Sequence, residues 1–246
     1  QEALVMADFA QVYRFIVKEV AMKGEMYATF MPKPISGVNG SGMHCHQSLS
    51  NGGRNLFFDK DDQYCLSKLA RHYMAGLLRH VKEFTLVTNQ WVNSYKRLVP
   101  GYEAPVYVSW GRRNRSSMVR VPTYRPGKEQ STRIELRSPD PAANPYLTFA
   151  CMLAAGLKGI KEEYELDEPI EDNIYTMSDE TKATLHIDTL PNSLDNAIGE
   201  FEKSELMKET LGSHVFNALI LNKRIEWDQY RMEVSQYEKE KYLPML

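Results

Sequence analysis

The chain has 246 residues, 43% hydrophobic and 25% charged, with a net charge of −2 and a pI of about 6.4. That is the composition of a globular protein, without the basic balance of a nucleic-acid binder. No apolar run reaches the roughly 18 residues of a membrane span. The opening segment carries Glu2 and Asp8 rather than the basic start of a secretory signal. Cys45, Cys65 and Cys151 are odd in number and widely spaced. They suit neither a disulfide framework nor a zinc site, and they point to a reducing, cytoplasmic setting.

Val5, Phe9, Val12, Ile16 and Val20 recur at helical spacing, and Gly24 is a natural stop. Residues 26–31 read as a strand closed by Pro32 and Pro34. A glycine-rich loop, Asn39-Gly40-Ser41-Gly42, then runs into a segment where His44, His46 and Ser48 alternate with Cys45 and Gln47. In a strand, side chains at spacing two share a face. One face thus carries two imidazoles and a hydroxyl, which suits metal and phosphate better than a core. Cys45 points the other way, into packing. Asn51-Gly52-Gly53 predicts a hairpin turn. Leu66, Leu69, Tyr73, Leu77, Val81 and Phe84 mark a long amphipathic helix.

Residues 100–103 read as a loop, and residues 106–110 and 117–121 as strands. A turn with Pro126-Gly127 precedes the segment Thr132-Arg133-Ile134-Glu135-Leu136-Arg137. Here Arg133, Glu135 and Arg137 share one face of a strand, and Ile134 and Leu136 the other. The charged face is either solvated or a site. Arg97, Arg112, Arg113, Arg115, Arg120, Arg125, Arg133 and Arg137 crowd the same region of a near-neutral chain, and that density favours a local anionic ligand. Arg112, Arg113 and Arg125 read as surface residues.

Asn144 and Pro145 cap and start a helix that is apolar on most sides through Leu157, hence buried. Residues 194–201 and 215–230 also read as helical. Antiparallel strands early and helices late predict an α+β class: a sheet forming an active-site funnel, flanked by helices, with a helical C-terminal region.

Four stretches together resemble the C-terminal catalytic part of type I glutamine synthetases, the bacterial and archaeal form. They are Lys33-Pro34 with residues 39–46, Asn93-Ser94-Tyr95-Lys96-Arg97 through Pro105, Asn114-Arg115-Ser116, and residues 133–146 with Pro139-Asp140-Pro141. The resemblance covers essentially the whole chain and weakens after about Glu168. It implies that residues 1–246 are the C-terminal portion of a catalytic domain, with an N-terminal domain and the first part of the catalytic domain absent. The family joins ammonia to L-glutamate with ATP through a phosphorylated γ-carboxylate, using Mg²⁺ or Mn²⁺. The full-length protein is expected to be a homo-oligomer of two six-membered rings, acting on L-glutamate, ammonia and ATP.

By that resemblance His44 and Glu135 are metal ligands. His46, Ser48, Arg115, Arg133 and, loosely, Lys128 are nucleotide contacts. Asn39, Gly40, Arg97 and Arg137 belong to the glutamate site. Arg120 faces the transferred phosphate, and Glu103 closes over the substrate and helps deprotonate ammonium. Tyr175 lies where some members are adenylylated, although the residues after it depart from that pattern. Residues 1–246 alone are expected to make no glutamine at a useful rate. Two alternatives stand beside this reading: a ligase joining glutamate to a larger amine, and a non-catalytic binding or structural member.

Overall fold

The computed structural model describes residues 1–101 and 104–246. Helix α1 spans Ala3–Lys23 and stops at Gly24, whose N–H returns to Ala21 O at 3.0 Å. Only Ala7 of this helix is buried, and Leu4, Phe9, Phe15, Ile16 and Val20 are exposed. The expected strand over residues 26–31 does not form, and Tyr27 is 92% exposed. A strand exists only where a neighbour completes its hydrogen bonds. Among the described residues none pairs with this segment.

Three short strands follow: β1 (Cys45–Gln47), β2 (Ser50–Asn51) and β3 (Arg54–Asn55). β2 and β3 form the expected hairpin over Gly52 and Gly53, both at positive φ. Helix α2 (Lys68–Thr88) starts where Ser67 accepts the Ala70 N–H. Helix α3 (Val92–Arg97) is a short addition that the sequence pattern does not predict. Strands β4 (Tyr107–Gly111), β5 (Ser117–Arg120) and β6 (Ile134–Leu136) come next. Helix α4 (Pro145–Lys161) opens as expected, with Asn144 accepting from Tyr146 and Leu147. The rest is α5 (Asp179–Thr184), β7 (Asp188–Thr189), α6 (Leu194–Glu202), α7 (Glu205–Arg231, kinked at Gly212) and α8 (Gln236–Tyr242).

The main sheet has the order β1-β6-β5-β4-β7. Its pairs are antiparallel except β4 with β5, which run parallel and so depart from the all-antiparallel expectation. Residues 112–116 carry the chain back from the end of β4 to the start of β5. That return is anchored by Glu171, which accepts the Arg112 and Arg113 N–H groups, and by Asn114, which donates to Ile170 O and Asp172 O.

Leu136 pairs with Cys45 on one side and Val119 on the other, so all three face the core. Against them lie Tyr73, Met74, Leu77 and Phe84 of α2, and Cys151, Met152 and Ala155 of α4. Burial of that apolar surface is the main stabilising term of the fold. It also pushes the Cys45 and Cys151 thiols up to about 12. α2 and α4 meet backbone to backbone. A β-carbon on Gly76 would lie 2.2 Å from Ala155 O, and one on Gly159 would lie 2.2 Å from His72 O. The outer side of α4 is not buried as expected: Leu153 and Leu157 stay exposed, because α2, α1 and α7 pack on other parts of the helix.

Candidate active site

The pairing register builds the site. His46 lies opposite Glu135 across β1 and β6, and Glu135 lies opposite Arg120 across β6 and β5. Directly paired residues project to the same face. An imidazole, a carboxylate and a guanidinium therefore line up in one row, on the face away from α2 and α4. His44, one residue before β1, joins them, and its Nδ1 lies 3.0 Å from Glu135 Oε1. His46 Nε2 lies 3.8 Å from the same oxygen. Arg120 Nε donates to Glu135 Oε2. Arg133 Nε donates to His46 Nδ1 at 3.1 Å, and its Nη1 donates to Ser131 O at 2.9 Å.

Glu135 is only 3% exposed, and Arg137 is buried too. The charged face of this strand is thus not a solvated one. Burial alone would push the Glu135 carboxyl up. The hydrogen bond from His44, with the charge and hydrogen bond of Arg120, overrides it and brings the carboxyl down to about 2. His46 is lowered by burial and by the charges of Arg133, Arg120 and His44, which outweigh the opposing pull of Glu135. The cluster is an ionised carboxylate at the centre of a ring of cationic and imidazole groups.

Behind it lies a second, drier layer. Arg97 at the end of α3 donates from Nη1 to Ser138 O at 2.6 Å and Pro139 O at 3.3 Å, and from Nη2 to Arg137 O at 3.2 Å. Burial brings its guanidinium down to about 10, with Arg137 adding to the effect and Asp140 opposing it. Arg137 Nη1 donates to Arg115 O and to Ser117 O, the latter at 3.1 Å. Asn89 Nδ2 donates to Ser138 O and to Asp140 Oδ2, both at 3.0 Å.

The glycine loop rests on this layer. Ser41 N–H donates to Pro32 O, and Met43 N–H to Pro139 O, each at 2.8 Å. A β-carbon on Gly42 would lie 2.6 Å from Arg97 Nη2 and 3.2 Å from the His44 ring, so glycine alone fits. Lys33 and Asn93 tie the loop's start to α3, Lys33 N–H donating to Asn93 Oδ1 at 2.7 Å.

His44, His46, Arg120, Arg133 and Glu135 therefore gather on one face, with Gly40, Arg97 and Arg137 in the layer beneath. Asn39, Ser48, Arg115 and Lys128 are exposed. Among the described residues the side chains of Asn39, Ser48 and Lys128 make no hydrogen bond to the cluster. Glu103 and Tyr102 lie outside the described residues. The Tyr175 hydroxyl donates to Ala104 O at 2.8 Å. Two features escape sequence reasoning: the His46–Arg133 contact, and the role of Asn89 and Asp140 as the polar floor. The sequence signal for the latter is the place of Asp140 between Pro139 and Pro141, just after Arg137.

A family model described as glutamine synthetase, catalytic domain, matches residues 1–242. The glutamine synthetase of Methanosarcina mazei is 51% identical over 245 residues, which is 100% of this chain and 54% of that protein. That of Mycolicibacterium smegmatis is 50% identical over 244 residues, 99% of this chain and 55% of that protein. The solved GmaS/ADP complex, in conformation 1, superposes with a TM-score of 0.89 at 36% identity, over 99% of this chain and 55% of that one. The chain thus spans about half the length of the curated relatives it matches.

Proposed function

The chain belongs to the glutamine synthetase family, and from that premise we propose that it supplies the C-terminal portion of the catalytic domain of a glutamate–ammonia ligase. The reaction joins ammonia to L-glutamate through a γ-glutamyl phosphate and releases L-glutamine, ADP and phosphate. The single observation that carries this reading is the row His46–Glu135–Arg120 with His44 beside it. A carboxylate ringed by imidazoles and guanidinium groups suits a cation on one side and phosphoryl oxygens on the other.

The donor set fits a divalent ion. His44 Nδ1 and Glu135 Oε1 are 3.0 Å apart, a separation that two ligands of one ion, each at roughly 2.0–2.6 Å from it, adopt. Mixed nitrogen and oxygen donors suit Mg²⁺ or Mn²⁺. Among the described residues no three His, Cys, Asp or Glu are arranged to hold a metal ion, so His44 and Glu135 form part of a shell that other residues complete. When bound, such an ion neutralises charge on phosphate oxygens.

The chain's own residues supply the rest. Glu135 holds Arg120 at the face where the phosphoryl group transfers, and Arg120 stabilises the charge that develops there. Arg133 orients the His46 imidazole through Nδ1, and both, with Ser48, Arg115 and Lys128, contact the nucleotide. Asn39, Gly40, Arg97 and Arg137 form the glutamate side. Glu103 closes over the substrate and takes the ammonium proton. The full-length protein works as a cytoplasmic homo-oligomer of two six-membered rings. Among the described residues no helix is long and apolar enough to cross a membrane.

The test is glutamine formation by the full-length protein, with ATP, Mg²⁺, glutamate and ammonium. Phosphate release that requires both glutamate and ammonium is expected. Release that ignores ammonium, or no glutamine, would overturn the reading.

A further inference from the structure

The polar floor beneath the glycine loop holds one carboxylate whose surroundings define its task. Arg97 is 4% exposed, and the loop is laid directly on it: β-carbons on Gly40 and Gly42 would meet its Cγ at 3.1 Å and its Nη2 at 2.6 Å. Its hydrogen bonds on the other side go to the carbonyls of Arg137, Ser138 and Pro139. Carbonyls orient a guanidinium but do not neutralise it, and a cation this buried is costly without a counter-charge.

Asp140 supplies opposite charge from beyond ion-pair distance, and it is tied to Arg97 through Asn89, whose Nδ2 donates both to Asp140 Oδ2 and to Ser138 O, the carbonyl that also accepts from Arg97 Nη1. Asp140 is fully buried, yet its carboxylate is held by donors on both oxygens: Ala142 N–H to Oδ1 and Asn89 Nδ2 to Oδ2, each at 3.0 Å. The Ser94 hydroxyl, one turn before Arg97 on α3, also faces it; burial outweighs these groups and leaves the carboxyl above its ordinary value. The peptide segment that carries Asp140 presents Pro139 O both to Arg97 and to the N–H of Met43, the residue before His44. One short stretch therefore sets the guanidinium and the loop together.

We propose that Asp140 is a positioning residue for glutamate binding: its buried carboxylate fixes Arg97 beneath residues 40–42, so that Arg97 and the loop present one shaped anion site. This rests on the ligase reading above. Asp140 touches neither substrate nor metal in this role; it acts through Arg97.

The experiment is a double-mutant cycle in the full-length protein, with Asp140→Asn, Arg97→Gln and the pair. Asp140→Asn keeps the shape and removes the charge. It is expected to raise KM for glutamate about tenfold, with kcat and KM for ATP changed less than about threefold. In the Arg97→Gln background it should add nothing, because the residues act as one unit. An unchanged glutamate KM, equal losses in both backgrounds, or a parallel decline of the ATP parameters would each overturn the role.

If Asp140→Asn does not fold, Ser94→Ala decides. It removes one donor to the carboxylate, and a glutamate KM raised about two- to threefold supports the role, whereas no change overturns it. A wild-type protein that makes no glutamine overturns the ligase reading and this role with it. An active wild type with an unaltered Asp140→Asn variant overturns this role alone.

Discussion

Arg120 and Arg133 stand at the rim of the site, and Arg97 and Arg137 lie in its floor, all within about forty residues of one chain. The rim pair is partly exposed and meets the cluster through side chains, Arg120 bonding Glu135 and Arg133 bonding His46, with one further bond from Arg133 to the nearby Ser131 carbonyl. The floor pair is buried and bonded to backbone carbonyls. The difference lies in what can be released. A side-chain partner swings away when a phosphate or carboxylate arrives, at the cost of a rotamer. A carbonyl cannot leave without moving the chain. Rim guanidinium groups are therefore available to ligands, while those in the floor first hold the loop and strand exits in register. The same residue type serves chemistry in one place and architecture in the other, and the partner decides which.

The largest effect should come from the residue that the rim set shares. Glu135→Ala is expected to lower the rate of glutamine formation about 10³-fold, roughly 4 kcal/mol in the transition state, while far-ultraviolet circular dichroism stays native. Loss of the fold instead would break the division, since Glu135 would then be architecture. Next, Arg120→Ala should reduce turnover about 10²-fold and leave KM for ATP within about threefold. Weakened ATP binding with normal turnover would put Arg120 in the wrong role.

A floor substitution should read out differently. Arg137→Met leaves buried carbonyls without a donor, so stability should fall by about 1–3 kcal/mol, or several degrees of thermal midpoint for a protein of this size. A native midpoint with lost activity would move Arg137 to the rim.

The smallest effect lies away from both sets, in the ion pair of Asp62 with Arg71 at 2.6 Å. Burial pushes the Asp62 carboxyl up. The bonds from Arg71 and from the Leu66 and Tyr64 N–H groups outweigh it and hold the carboxyl below its usual range. A carboxyl lowered in the folded state contributes stability above its unfolded value of about 3.9, lost as pH falls through the lower folded value. Asp62→Asn should therefore cost under about 1 kcal/mol near pH 6, and the difference should vanish in strong acid. Denaturant titrations across that range give the answer, and a difference growing toward low pH would reverse the sign.

Legibility in the sequence follows the same division. His44 and His46 were readable because a period of two fixes which side chains share a face, and Cys45 is buried on the opposite one as that period requires. The alternation through Arg133, Glu135 and Arg137 was equally plain. Its burial was not, since burial depends on β1 and β5 closing over both sides of β6. Nothing in the order of residues separates Arg97 from Arg120. That distinction arises only when α3 brings Arg97 against the peptide of residues 137–139. The strand misread at residues 26–31 has the same origin: local apolar content suggests extension, but pairing is decided by distant chain. The parallel pairing of β4 with β5 was hidden for that reason too.

The glycine contact between α2 and α4 has a further consequence. At Gly76 and Gly159 the two helices touch through their backbones, with no side chain at that point to yield, and there the pair acts as a stiff plank. Tyr73 of α2 donates to Gln47 Oε1 at 2.7 Å, and Gln47 Nε2 reaches Met152 Sδ of α4 at 3.6 Å. Both halves of the plank thus grip β1 one residue from His46. An alanine at position 76 or 159 would act as a wedge between the two halves. Its thickness would be felt at His46, on the far side of the sheet, as a metal or nucleotide pocket of altered width in a protein that still folds.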